Sequence, residues 1–268
     1  MSAPTSRTFA EERRTAIMDM LEHSASVQVA DIAQAFGVST VTARGDLDAL
    51  AAGKLRRTHG GAVSLHKTLT VSIQDQRVNV NVDAKQSIAR AALELVRDGD
   101  TVFVDSGTTA LEFVRMLDMR TGITVITADI TIADYIDESL PSVDVIMLGG
   151  ELRKGHRYLF GPLTMAAIAT IHADLAVNCP GAFVAGRGFV TDFPQMAEIK
   201  QAAMSAASHS VALMDASKLT SRGTYCFAPI HAVDHIVIDK DDEGTLSDAL
   251  AKLPNDAKRP QLIVTTEQ

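Results

Sequence analysis

The sequence predicts a two-domain α/β protein, an N-terminal winged helix-turn-helix followed by a C-terminal domain built on a mainly parallel sheet. Three observations predict it. At 268 residues the chain exceeds the usual size of one domain. Residues 9–63 carry three helical periodicities closed by two strand-like runs. From Asp83 onward, apolar β-branched runs alternate with amphipathic stretches, the pattern of parallel strands joined by crossover helices. The expected division is a flexible N-terminus over 1–8, the winged helix-turn-helix over 9–63, a linker over 64–83 and the α/β domain over 84–268.

In the first domain, Phe9, Arg13, Ile17, Met20 and Leu21 recur at helical spacing. A polar break around Ser24–Ser26 precedes a second periodic stretch through Val29, Ile32, Ala33 and Phe36, and Gly37 permits a tight turn. Ser39 offers an N-cap hydroxyl to a third helix through Val41, Leu47, Leu50 and Ala51, ended by Gly53. Leu55–His59, Gly60-Gly61 and Ala62-Val63 suit a strand, a turn and a return strand. The polar stretch 64–83 reads as the linker.

In the second domain the expected strands are 101–105, 123–127, 143–148, 175–177, 211–215, 235–239 and 262–265. The expected helices are 84–97, 109–118, 130–138, 162–171, 195–208 and 245–253. In the first helix, Ile88, Ala91, Ala92, Leu95 and Val96 mark one apolar face.

Composition is that of an ordinary globular protein, 46% apolar and 22% charged. Cys179 and Cys226 are isolated, which reads as free thiols in a reducing compartment. The chain shows neither an apolar run of the ~20 residues that span a bilayer nor a leader peptide at its start, so a cytoplasmic location and no membrane partner are expected. The eight histidines are scattered without metal-ligand spacing, so no metal is expected. The net charge of −8 resides entirely beyond residue 66, because the first 66 residues carry equal numbers of acids and bases. Between Asp48 and Asp75 there is no acid, while Lys54, Arg56, Arg57 and Lys67 all fall there. Such a local basic strip holds one face of an acidic protein to DNA.

A helix-turn-helix braces its first helix on the DNA backbone and sends the second into the major groove. With Phe36, Val38, Val41 and Leu47 expected inside, Ser39, Thr40, Thr42, Ala43 and Arg44 are left for the groove. Hydroxyls at a helix N-terminus bond phosphate, and Arg44 reaches guanine or phosphate. Arg56, Arg57 and His59 of the wing run along the backbone or into the minor groove. The same helix-turn-helix pattern also serves dimerisation; the wing and basic strip favour a double-stranded DNA operator.

Asp105-Ser106-Gly107-Thr108-Thr109 follows an expected strand and opens an expected helix. Backbone N–H groups and hydroxyls gather there at the positive end of a helix, a phosphate cradle that is neither a Walker A nor a dinucleotide fingerprint. Thr127-Ala128-Asp129 and Gly149-Gly150-Glu151-Leu152-Arg153 end the next two strands, at the edge where ligands collect in open α/β sheets. Lys200 and Lys218 are candidate cations. Glu151, Asp192 and Glu198 are the acids nearest to what a sugar-phosphate isomerase needs as a base, but no pair has diagnostic spacing.

Val38-Ser39, Thr42, Arg44, Asp46-Leu47, Leu50, Gly53 and Leu55–Ala62 together resemble the reader of the DeoR (GlpR-like) family of bacterial transcription regulators. The resemblance continues through Lys85, Ile88-Ala89, Asp105–Thr109, Gly149–Arg153, Gly161-Pro162, Ile199-Lys200 and Asp215–Lys218, covering roughly residues 9–240. The chain departs from the family pattern at Ala43, Gly45, Ala128 and 178–188. The resemblance implies a sensor domain similar to ribose-5-phosphate isomerase and CoA-transferase-like folds. It also implies a repressor, not an enzyme, controlled by a phosphorylated sugar-type effector, with no catalytic residue and no cofactor. Carried over, Ser106–Thr109 hold the phosphate, Lys200 neutralises it, and Asp105, Asp129 and Arg153 contact hydroxyls or brace the loops. Thr127, Gly149 and Gly150 complete the expected effector site. A homo-oligomer, dimer or tetramer, is expected because paired readers must match operator half-sites.

Overall fold

The computed structural model describes residues 10–23, 26–50, 55–57, 61–64 and 80–265. The chain divides into two compact units, residues 1–73 and 74–268.

The first unit runs α1 (Ala10–His23), β1 (Ser26–Gln28), α2 (Val29–Phe36), α3 (Thr40–Leu50), β2 (Leu55–Arg57) and β3 (Gly61–Ser64). The strands form an antiparallel sheet in the order β1-β3-β2. Strand β1 lies where only a polar break was expected. Val27 pulls it in, buried with Ile17, Val29, Ile32, Ala43 and Leu47 in the core of the unit. Gly37 takes the left-handed φ of +60° that the turn between α2 and α3 requires. Ser39 caps α3, its Oγ accepting the Thr42 N–H at 3.1 Å.

The expected buried set of α3 is corrected in one respect. Val41 is 73% exposed, whereas Ala43 is fully buried beside Leu47. The phase of the helix decides this. Ala43, Asp46, Leu47 and Leu50 recur at three- and four-residue steps and share one face, and Val41 falls opposite. Phe36 and Val38 are half-buried against that core.

The second unit is a seven-stranded sheet with layers on both faces. Its strands are β4 (Thr101–Val104), β5 (Thr124–Thr127), β6 (Asp144–Met147), β9 (Ala173–Asn178), β12 (Ala207–Met214), β14 (His235–Ile238) and β15 (Gln261–Val264). Every neighbouring pair is parallel, in the order β15-β14-β12-β9-β4-β5-β6. These are the seven strands expected from the apolar runs. On one face α4 (Val82–Leu93), α5 (Thr108–Val114) and α6 (Ile130–Ser139) cover Val102, Val104, Val125, Leu175 and Val177. On the other, α7 (Pro162–Ile168) and α8 (Pro194–Ser205) cover Phe103, Ile126 and Ala176. Alternate residues of β4 thus serve opposite cores, as the period of a strand requires.

Two pieces of sheet were not expected. One is the hairpin β7 (Glu151–Arg153) and β8 (Tyr158–Phe160). The other is the antiparallel sheet of β10 (Ala182–Val184), β11 (Gly188–Thr191) and β13 (Tyr225–Ala228), packed through Phe183, Phe189 and Phe227. Short α9 (Ser217–Thr220) and α10 (Thr245–Ala251) complete the unit.

Strand order fixes where a site can form. The chain leaves β4 for β5 and β6, then returns to lay β9 on the other side of β4. The winding reverses between β4 and β9, and the connections there diverge to opposite faces. The carboxyl ends of those two strands are the usual ligand position in such sheets.

Candidate functional site

In the reader, Ser39, Thr40, Thr42, Arg44, Gly45 and Asp48 are exposed along α3. Behind them the helix is anchored by charge. Asp46 is 3% exposed; its Oδ2 accepts from Arg13 Nε at 2.5 Å and its Oδ1 from Arg14 Nε at 3.1 Å. One carboxylate thereby clamps α3 to α1. The Ser39 hydroxyl is engaged with the Thr42 amide and hydroxyl, so its oxygen serves the cap. Ala43 packs inward and takes no place on the reading face. Arg56 and Arg57 lie in β2, whose backbone but not side chains is described; His59 lies outside the described residues, as does Gly53.

In the second unit, parallel strands bring the expected residues to one edge of the sheet. Asp105 ends β4, Thr127 ends β5 with Asp129 two residues on, and Gly149-Gly150 follow β6. Asn178 and Cys179 end β9. The loops after β4 and β9 are strapped together. Asp105 Oδ2 accepts the Cys179 N–H at 2.8 Å, and the Asp105 N–H donates to Val177 O at 3.0 Å. A Cβ placed on Gly107 would stand 3.7 Å from that of Cys179. Ser106, Gly107 and Thr108 remain partly exposed above this strap, whereas Thr109 is buried.

The expected polar residues divide by task. Thr127 and Asp129 are fully buried. Thr127 Oγ1 donates to Val104 O, and Asp129 Oδ1 caps α6 by accepting from Thr131 and Ile132 amides at 2.7 and 3.2 Å. Both brace the loops. Gly149 O accepts from Thr164 Oγ1 at 2.7 Å, and a Cβ on Gly150 would meet Phe160 O at 2.5 Å. Gly150 is therefore needed for the close approach of the hairpin to the start of α7.

The cations divide too. Lys200 reaches from α8 into the strap, where it is 3% exposed, donates to Cys179 O at 3.0 Å and pairs with Asp105 Oδ2. Asp105 therefore already matches the charge expected to neutralise a phosphate. Arg153 is arranged differently. Its guanidinium lies 3.9 Å from the Phe193 ring centroid and donates to the Tyr158 hydroxyl at 2.6 Å. It is only half-buried and has no carboxylate partner among the described residues. Burial pushes the Tyr158 phenol up to about 12, against the lowering effect of its bond from Arg153. The hydroxyl thus stays protonated and orients the arginine.

Sequence reasoning gave Asn178 no role. It is 1% exposed at the carboxyl end of β9, and its Oδ1 has no hydrogen-bond partner among the described residues. A polar residue closing the buried apolar run Leu175–Val177 was the signal available. Beside it, burial and then the charge of Asp105 push the Cys179 thiol up to about 12, with the Ala110 amide and Lys200 pulling the other way. Cys226 is exposed. Iodoacetamide at pH 8 is expected to alkylate Cys226 and spare Cys179, because the thiolate is the reacting form; peptide mass spectrometry of both sites checks it.

Among the described residues no cluster of metal-ligating side chains occurs, and no helix is long and apolar enough to cross a membrane.

A clamped helix-turn-helix with a strand wing, followed by an open α/β unit with polar residues at its winding reversal, defines a DNA-binding transcription regulator of the reader-plus-sensor class. Residues 13–68 match the DeoR-like helix-turn-helix domain, and residues 80–240 match the DeoR C terminal sensor domain. The chain belongs to the DeoR family. It is 30% identical over 250 residues to a protein of Escherichia coli O157:H7 named for repression of the aga operon, covering 92% of this chain and 91% of that one. It is 29% identical over 261 residues to the transcriptional repressor GlcR of Bacillus subtilis, covering 97% and 98%. Among solved structures, ribose 5-phosphate isomerase A of Methanocaldococcus jannaschii aligns with a TM-score of 0.39 and 19% identity, covering 52% of this chain and 55% of that one. The aligned part spans about half of each protein, a likeness too distant to bear on activity.

Proposed function

We propose that this regulator is a repressor of a carbohydrate-utilisation operon, and that a phosphorylated sugar-type metabolite bound at the carboxyl ends of β4 and β9 changes its affinity for DNA. One observation carries the reading. The Ser106–Thr108 loop and the Asn178 oxygen, unpartnered among the described residues, stand at the carboxyl ends of the neighbouring strands β4 and β9, where the winding reverses. The loop amides and hydroxyls suit a phosphate, Arg153 supplies the positive charge that Lys200 does not, and Asn178 offers an acceptor to a sugar hydroxyl. The names of two relatives, a putative transcriptional repressor of the aga operon and the transcriptional repressor GlcR, support the repressor part of the reading.

The same features weigh against an isomerase. Glu151, Asp192 and Glu198 are all exposed, and Asp105 is engaged by Lys200 and the Cys179 amide. A general base needs a carboxylate held against the reacting carbon. On the DNA side, Arg44, Arg56 and Arg57 carry the backbone neutralisation, and the chain acts as a cytoplasmic homo-oligomer that sets the spacing of its readers.

Two measurements test the proposal. In a thermal-shift screen of pentose and hexose phosphates, a bound effector in hundredfold excess over its Kd stabilises the protein by about 3 kcal/mol. The Arg153→Met variant is expected to lose that shift; an equal shift in the variant overturns the site. Replacing Arg44, Arg56 and Arg57 together by alanine is expected to flatten the salt dependence of operator binding by up to three phosphate contacts. An unchanged slope removes these residues from the interface.

A further inference from the structure

The outermost stripe of α3 is apolar and bare over its first two positions, Val41 and Gly45, and ends on the exposed Asp48. With Ala43, Asp46 and Leu47 turned inward, the ~3.6-residue helical repeat sets Val41, Gly45 and Asp48 on the opposite side. Val41, at 73%, is the most exposed large apolar side chain among the described residues. One turn on, a Cβ added at Gly45 would meet nothing within 4 Å, so the helix there presents only backbone. Thr42 and Arg44 flank the stripe, both exposed.

A glycine inside a helix costs about 1 kcal/mol relative to alanine, and a valine left in water forgoes its burial. Neither arrangement serves the fold of the reader. Both suit a surface that meets its apolar partner only on DNA. Along the base edges of the major groove the apolar group is the C5 methyl of thymine. A bare backbone one turn away lets the helix lie close enough for a short side chain to touch it. We propose that Val41 reads a thymine methyl in each operator half-site, with Gly45 permitting the close approach. Polar recognition by Thr42 and Arg44 surrounds this contact. Arginine at position 45 would hold the helix off the groove floor, whereas glycine brings Val41 into range.

The test uses the full-length protein and an operator selected by it from a random duplex library. Each thymine of a half-site is replaced in turn by deoxyuridine, which removes only the methyl group, and affinity is read by fluorescence anisotropy at fixed salt. The expected result is one position where the change weakens wild-type binding by about threefold to fivefold, the transfer free energy of one methyl group. The Val41→Ala variant is expected to bind the thymine and deoxyuridine operators at that position alike, and to keep any penalties at other positions. The same penalty in Val41→Ala as in wild type overturns the inference, as does a wild type indifferent to every replacement. Should Val41→Ala bind too weakly to compare, a fresh selection with that variant decides: loss of the thymine preference supports the contact and its retention overturns it. A changed oligomeric state in Val41→Ala with unchanged thymine discrimination assigns the residue to a protein interface and overturns it too.

Discussion

Replacing Asp105 by alanine is expected to destabilise the sensor unit by about 3–5 kcal/mol, because it strands the Lys200 ammonium in a site that is 3% exposed. The carboxylate pairs with that ammonium and also accepts the Cys179 amide that ties the loops of β4 and β9 together. Removing it leaves a buried charge and an unanswered N–H. The double variant Asp105→Ala/Lys200→Met is expected to recover most of the loss, since a buried pair replaced by apolar groups of similar volume is often neutral. What it does not recover is the amide bond, worth about 1 kcal/mol. Thermal unfolding of the single and double variants checks this. A double variant no more stable than Asp105→Ala would show that the pair is not the source of the loss.

Asp46→Ala is expected to abolish operator binding while leaving the unfolding of the sensor unit unchanged. Asp46 lies on α3 but faces α1, where it answers both Arg13 and Arg14. Arg13 is itself buried, so loss of the carboxylate removes two ion pairs at once, one of them buried, at a cost of about 3 kcal/mol. The core of the reader, six buried apolar side chains among the described residues, has little margin against such a loss. Asp46→Asn, which keeps an acceptor but not the charge, is expected to fall between. The measurement is operator affinity together with the two-step calorimetric unfolding of the full chain. Normal DNA binding by Asp46→Ala would contradict the clamp.

Much of this architecture was legible because long buried runs have a clear period. The β-branched runs at 101–104, 124–127 and 235–238 announce parallel strands, and the turn at Gly37 and cap at Ser39 follow from local chemistry. The short antiparallel pieces were not legible. Three residues such as Ser26–Gln28 or Glu151–Arg153 carry too little alternation to distinguish a strand from a loop. Val41 and Ala43 exchange places because helical phase, not apolarity, decides which side chains face the core, and the more apolar residue is the exposed one. At the carboxyl ends of β4 and β9, the residue types were readable but their partners were not. Lys200 is separated from Asp105 by 95 positions, so no local pattern shows that its charge is already matched. Arg153 likewise meets Phe193, forty positions on, only because the hairpin carries it there.

The central claim is that occupancy of the β4/β9 site controls the reader. It is tested most directly by measuring operator affinity with and without a saturating sugar phosphate taken from the thermal-shift screen. Wild type is compared with the Ser106→Ala/Thr108→Val variant. The result expected is a change of about fivefold or more in wild-type operator affinity, the usual span of allosteric coupling, and no change in the variant, which still binds the operator. Equal operator affinity in the presence and absence of bound sugar phosphate, or an equal response in the variant, would contradict it.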